Sequence, residues 1–104
     1  MSGWPAWKRH EKKVATMLQG RRHSRGNNFA EEVGDVEHPL FSIECKYRKK
    51  LPTLLMQGLS QARRYNSKPP LLVLKEHGKQ SELVVMTLHD FVDLFGALQS
   101  KEEM

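Results

Sequence analysis

Cysteine occurs once in this chain, at Cys45, so no internal disulfide can form and a zinc site built from four thiolates is excluded. Long apolar runs are missing too. No stretch approaches the roughly 18 consecutive apolar residues of a helical membrane span, and the beginning of the chain, with Trp4, Pro5 and Lys8, lacks the apolar segment of a secretory signal. A soluble, cytoplasmic protein in a reducing compartment is expected, with no membrane partner. The five histidines, His10, His23, His38, His77 and His89, show no metal-ligand spacing and read as surface or structural residues. Repeats, low-complexity segments and interdomain linkers are absent, and 104 residues suffice for one core, so a single domain over 1–104 is expected.

Acidic residues are the scarcer sign, 12 against 17 Lys and Arg, for a net charge of +5. The excess is uneven: residues 1–64 carry 13 basic and 6 acidic side chains, residues 65–104 carry 4 and 6. The basic surface is built by the first two-thirds of the chain and either meets a polyanionic partner or merely aids solubility. Apolar residues at 38%, with seven glycines besides, are ordinary for a folded domain.

Hydrophobic spacing predicts a helix from about Pro5 to Leu18, with Trp7, Val14 and Leu18 along one stripe. Glu11 falls in that stripe. A carboxylate there is costly unless paired or metal-bound, so Glu11 is either a ligand or an edge residue paired with Lys8 or Lys12. Residues 20–34 read as a loop holding at most one short strand. A strand should begin at Asp35 and Val36, turn at His38-Pro39, and return over Leu40 to Tyr47 as a hairpin partner. In the returning strand Phe41, Ile43, Cys45 and Tyr47 form an apolar face that points Cys45 into the core, and Ser42, Glu44 and Lys46 form the opposite one. A second helix is predicted over Thr53 to Tyr65, with Leu51, Leu55, Leu59 and Ala62 on one side and Gln57 and Gln61 an i, i+4 pair on another. Leu71 to Leu74 reads as a central strand covered on both faces. A turn at Glu76 to Lys79 leads to a strand over Leu83 to Leu88, and a last helix capped by Thr87 or Asp90 should reach about Gln99, with a frayed tail from Lys101. The order indicates the α/β class, a mixed sheet flanked by helices.

The chemistry lies in the carboxylates. A Mg²⁺ or Mn²⁺ ion takes hard oxygen ligands and keeps several waters, so two or three carboxylates are enough to hold it. Asp35 and Glu44, on adjacent strands of the hairpin, could supply them, and Glu11 could join from a helix over the sheet. Lys46 lies on the face of Glu44, roughly 7 Å along the strand, where an ammonium could orient a water or stabilise phosphate charge. A Glu-x-Lys triplet alone means little in so charged a chain. Glu11-Lys12-Lys13 is a second instance, but on a helix residues i and i+2 diverge by about 200°, whereas a strand makes Glu44 and Lys46 co-facial. The pair could also be a solvent-facing ion pair.

Gly34-Asp35 followed by Phe41-Ser42-Ile43-Glu44-Cys45-Lys46 resembles the signature of the PD-(D/E)XK nuclease superfamily, and the arrangement over nearly the whole chain is similar to small phage and archaeal Holliday-junction resolvases. The resemblance implies a restriction-endonuclease-like αβββαβ core. It further implies Glu11, Asp35 and Glu44 as metal ligands, the Cys45 backbone carbonyl as another, Lys46 as the catalytic lysine, and products with 5′-phosphate and 3′-hydroxyl ends. Gln61 matches loosely a second-helix glutamine near the site in some relatives. Gly34 replaces the proline of the superfamily name, and the Arg25-Gly26-Asn27-Asn28 loop matches the serine-containing loop of the resolvases only loosely.

The expected function is therefore a Mg²⁺-dependent endodeoxyribonuclease, Mn²⁺ also serving, selective for branched DNA. Arg21, Arg22, Arg25, Arg48, Lys49 and Lys50 are candidates to grip backbone phosphates, and Trp4 and Trp7 to stack on a base or partner, with core packing favoured for Trp7. A homodimer is expected through the C-terminal third, where Val85, Leu88, Phe91, Leu94 and Phe95 exceed what one thin sheet needs. Two other readings stand: a non-catalytic nucleic-acid-binding module, and a nuclease subunit of a larger phage or restriction complex.

Overall fold

A computed structural model describes residues 3–23 and 35–103, with side chains as far as 96. Arg25, Gly34 and the loop of Gly26 to Asn28 lie outside the described residues. The chain is mixed α/β and divides into two compact units, Met1–Lys49 and Lys50–Met104.

In the first unit, helix α1 (Ala6–Met17) starts after Pro5, whose carbonyl accepts from the amides of Lys8 and Arg9, each at 3.1 Å. Proline suits that place because its φ is preset and it has no amide proton to satisfy. The buried side chains of this segment, Glu11, Val14, Ala15 and Leu18, fall at i, i+3, i+4 and i+7, the spacing of one helical face. Trp7 belongs to that stripe by spacing and yet is 50% exposed. The expectation that it packs in the core is corrected: residues 21–22 and 36–37 pack on α1, and Trp7 in its first turn stays open to solvent.

The helix ends in a Schellman turn. Gln19 takes a left-handed conformation (φ 59) and its amide bonds the Thr16 carbonyl, while Gly20 bonds Ala15 at 2.8 Å. Gly20 is needed where it stands, since a Cβ would land on the Glu37 carbonyl oxygen. Strand β1 (Arg21–Arg22) then pairs antiparallel with β2 (Val36–Glu37), setting Arg21 opposite Glu37 and Arg22 opposite Val36. The strand predicted over Leu40 to Tyr47 is reduced to one bridge, Val36 with Ile43. Its alternation survives at Ile43 and Cys45, which are half-buried between exposed Ser42, Glu44 and Lys46, and fails at Phe41 and Tyr47, which are exposed.

In the second unit, helix α2 (Thr53–Arg63) follows Pro52 and buries Leu59. It packs on strand β3 (Leu72–Lys75) at Gly58, where a Cβ would sit 2.6 Å from Leu72 Cδ1, so glycine sets how near helix and strand approach. Strand β3 pairs antiparallel with β4 (Glu82–Val85) around a turn in which Gly78 has φ 83. Helix α3 (Leu88–Glu103) is capped by Thr87: its Oγ1 accepts from the Asp90 amide at 3.1 Å and its carbonyl from the Phe91 amide.

Three expectations change here. Among the described residues the named strands form two two-stranded antiparallel sheets, with the Val36–Ile43 bridge besides, and not one mixed sheet. Leu71 to Leu74 is not covered on both faces: β3 has one partner, Leu72 and Leu74 are half-buried, and Leu71 and Val73 are about half exposed. Leu88 opens α3 instead of ending a strand, and α3 continues through Lys101 to Glu103.

Candidate active site

Asp35 is tied down by its backbone on both sides. Its carbonyl accepts from the His23 amide at 3.0 Å and its amide donates to the Ile43 carbonyl at 2.9 Å. Its side chain, 1% exposed, reaches along the returning segment, where Oδ2 accepts from the Cys45 amide at 2.6 Å. Short separation and a charged acceptor mark this as a strong hydrogen bond. Asp35 thus couples the end of β1 to residues 43–45.

Glu11 arrives from α1 and is buried, as the helical stripe requires. Arg22 Nε donates to its Oε1 at 3.0 Å, with side chains only 18% and 8% exposed. The guanidinium carbon of Arg22 also lies 5.4 Å from the centre of the Trp4 ring, over which Lys8 Nζ sits at 4.6 Å. One cation is therefore shared between a buried carboxylate and an aromatic face.

Cys45 is a half-buried free thiol whose amide holds Asp35. Burial pushes its pKa up first, and the charges of Glu11 and Glu44 push it further, since a thiolate is disfavoured both by desolvation and by nearby anions. The half-buried thiol faces carboxylate charge, a more polar setting than the apolar core expected for it. His10 of α1 lies against Tyr47, ring centres 5.7 Å apart, and joins the helix to the same segment.

Glu44 and Lys46 stand side by side, Oε1 to Nζ 3.8 Å, with both side chains more than half exposed. The co-facial placement read from strand geometry is present without a regular strand, and the pair faces solvent. Of the basic candidates, Arg21 binds Glu37 at 2.6 Å, with His23 Nε2 3.4 Å from the same carboxylate. Arg48 bonds the Tyr47 carbonyl at 3.2 Å, and Arg48, Lys49 and Lys50 are exposed. Gln61 lies on α2 in the second unit, where it lines a surface recess with Met56, Gln57, Ser60 and Arg64.

The sequence reading missed two features. His38, taken for a turn residue, fastens the end of α1: its Nδ1 accepts from the Leu40 amide at 3.1 Å and its Nε2 meets the Leu18 carbonyl at 3.0 Å, so the ring proton belongs on Nε2. The bond to Leu40 is local and legible from the turn; the bond to Leu18 is not. His89, Asp90 and Asp93, in the first turns of α3, bring ligand atoms within 4.8 Å of one another, but His89 and Asp93 are exposed. Spacing of i, i+1 and i+4 on a helix was the available signal, and acidic residues near a helix N-terminus are favourable there without an ion.

Glu11, Asp35 and Glu44 offer carboxylate oxygens, although their ligand atoms do not all lie within 4.8 Å of one another, as those of His89, Asp90 and Asp93 do among the described residues. That set fits a hard divalent cation such as Mg²⁺ or Mn²⁺. Two of the three carboxylates are more than nine-tenths buried, a costly arrangement that bound positive charge would offset. Among the described residues no helix is long and apolar enough to cross a membrane. Comparison of the chain with protein-family models, with curated proteins and with solved structures finds no match.

Proposed function

We propose that this chain is a metal-dependent DNA endonuclease of the PD-(D/E)XK kind, with a restriction-endonuclease-like core, selective for branched DNA and working as a cytoplasmic homodimer. The observation that carries the reading is the pair of buried carboxylates, Glu11 and Asp35, of which Asp35 is bonded to the amide of Cys45, the residue between Glu44 and Lys46. Arg22 compensates Glu11 and the Cys45 amide holds Asp35, and buried charged groups of this sort recur at functional sites.

Glu11, Asp35, Glu44 and the Cys45 carbonyl would hold Mg²⁺, which when bound supplies Lewis-acid polarisation of the phosphate and a more acidic water. Lys46 orients the attacking water and offsets charge growing on the phosphate oxygens. Water oxygen bonds to phosphorus, the bond from phosphorus to the 3′ oxygen breaks, and the water proton ends on that oxygen, leaving 5′-phosphate and 3′-hydroxyl ends. Arg48, Lys49 and Lys50 grip backbone phosphates without reading sequence. Arg21 and Arg22 contribute less to that grip while Glu37 and Glu11 hold them. The half-exposed Leu94 and the Phe91–Phe95 stack of α3 are the apolar surface for a two-fold contact.

The solvent-facing Glu44–Lys46 pair and the Glu11–Arg22 pair also suit a non-catalytic DNA-binding module, in which the carboxylates act only as ion-pair partners. Cleavage of duplex, single-stranded, flap and four-way-junction DNA, each with Mg²⁺, Mn²⁺ or EDTA, separates the two. A nuclease cuts only with metal, and here should prefer the junction. Binding without cutting under every condition would leave the module.

A further inference from the structure

Glu11 carries a cation of the chain's own making. Arg22 bonds it through Nε, and Trp4 offers its ring face to both Arg22 and Lys8. A buried carboxylate needs such a partner, because its charge is strongly disfavoured away from water unless compensated. Given the metal site proposed above, on which this inference rests, the same carboxylate would serve two cations, a guanidinium and a divalent ion. Their mutual repulsion must be overcome whenever the ion enters.

From this geometry we infer that Arg22 competes with the divalent cation for Glu11, keeping Glu11 charge-compensated before the ion binds and turning toward DNA phosphate once it has bound. Arg22 is a positioning residue in this scheme, acting through Glu11. Its bond to Glu11 uses Nε alone, and the Nη1–Nη2 edge, which that bond does not occupy, is the edge that grips phosphate oxygens in pairs. The Trp4 face provides a second, weaker seat for a cation leaving Glu11. A phosphate that draws Arg22 away favours the ion at Glu11, and the ion favours Arg22 on phosphate, so metal and DNA binding reinforce each other reciprocally.

The test is Mg²⁺ binding to the full chain without DNA, by calorimetry, for wild type, Arg22→Gln, Arg22→Lys and Asp35→Asn. A unit charge at ~5 Å from a divalent ion in a well-hydrated site is worth about tenfold in affinity. Arg22→Gln should therefore bind Mg²⁺ about tenfold tighter, and Arg22→Lys, which keeps the charge, should stay near wild type. Trp4 supplies a second readout: in a Trp7→Phe background it is the remaining indole, and its emission should shift as Mg²⁺ draws Arg22 from its place, a shift lost when Arg22→Gln is added. Equal or weaker binding by Arg22→Gln, or Trp4 emission indifferent to saturating Mg²⁺, overturns the inference and leaves the metal site standing. If wild type shows no saturable binding, or binding that Asp35→Asn leaves unchanged, the metal site fails and the inference with it. Should Arg22→Gln not fold, the Trp4 titration decides alone.

Discussion

Asp35 offers the sharpest separation of catalysis from folding, because its structural and chemical duties rest on different properties of one carboxylate. The structural duty is to accept the Cys45 amide at 2.6 Å from a side chain that is 1% exposed; the chemical duty is negative charge. Asp35→Asn keeps an oxygen in reach of that amide and removes the charge. Exchanging a charge-assisted hydrogen bond for a neutral one costs about 1 kcal/mol, and relief of the buried charge offsets part of it. Stability should therefore stay within about 1 kcal/mol of wild type, a Tm change of about 4–8 °C at most for a domain this small. Asp35→Ala removes the acceptor and leaves the Cys45 amide unsatisfied, which costs about 1–3 kcal/mol. Cleavage should fall in both variants by on the order of a hundredfold or more, since a ligand to the ion that polarises the phosphate is gone, while DNA binding changes little. The measurements are urea unfolding, single-turnover junction cleavage in Mg²⁺, and fluorescence anisotropy for binding. Wild-type turnover in Asp35→Asn would refute the assigned site. Destabilisation of Asp35→Asn equal to that of Asp35→Ala would show that the hydrogen-bond reasoning is wrong.

Three further outcomes are expected. Lys46→Ala should abolish cleavage and leave stability within about 0.5 kcal/mol, because its partner Glu44 is exposed and surface pairs contribute little; a folded variant that cuts at the wild-type rate removes Lys46 from the chemistry. Gln19→Gly should stabilise the chain by about 0.5–1 kcal/mol, since Gln19 holds a left-handed φ of 59 that glycine adopts without strain, and a lower unfolding midpoint would contradict this. Alkylation of Cys45 at mildly alkaline pH should be slow, because burial and then the charges of Glu11 and Glu44 raise its pKa and so reduce the thiolate fraction at any given pH. Glu11→Gln removes one raising charge, lowers that pKa and should speed the reaction, and an unchanged alkylation rate across pH would place Glu11 away from the thiol.

Local regularities carried the sequence reading as far as it went. The helical stripe of Glu11, Val14 and Leu18, the proline before each of α1 and α2, the glycine turn between β3 and β4, and Thr87 as one of two candidate caps all depend on residues within a turn or two of each other. Helical periodicity and turn chemistry are set by such neighbours, and so α1, α2, the β3–β4 hairpin and the start of α3 were legible. Burial of Glu11 was legible too, as a carboxylate on an apolar stripe. What compensates it was not: Arg22 stands 11 residues away and reaches Glu11 only because the turn at Gln19 and Gly20 folds β1 back on α1. The His38 bond to the Leu18 carbonyl, 20 residues back in the chain, has the same origin. Exposure was decided by tertiary structure as well. An apolar pattern states what a side chain tolerates, while packing determines whether anything covers it, which is why Trp7 and Leu71 to Leu74 departed from the reading and Val14 and Leu18 did not.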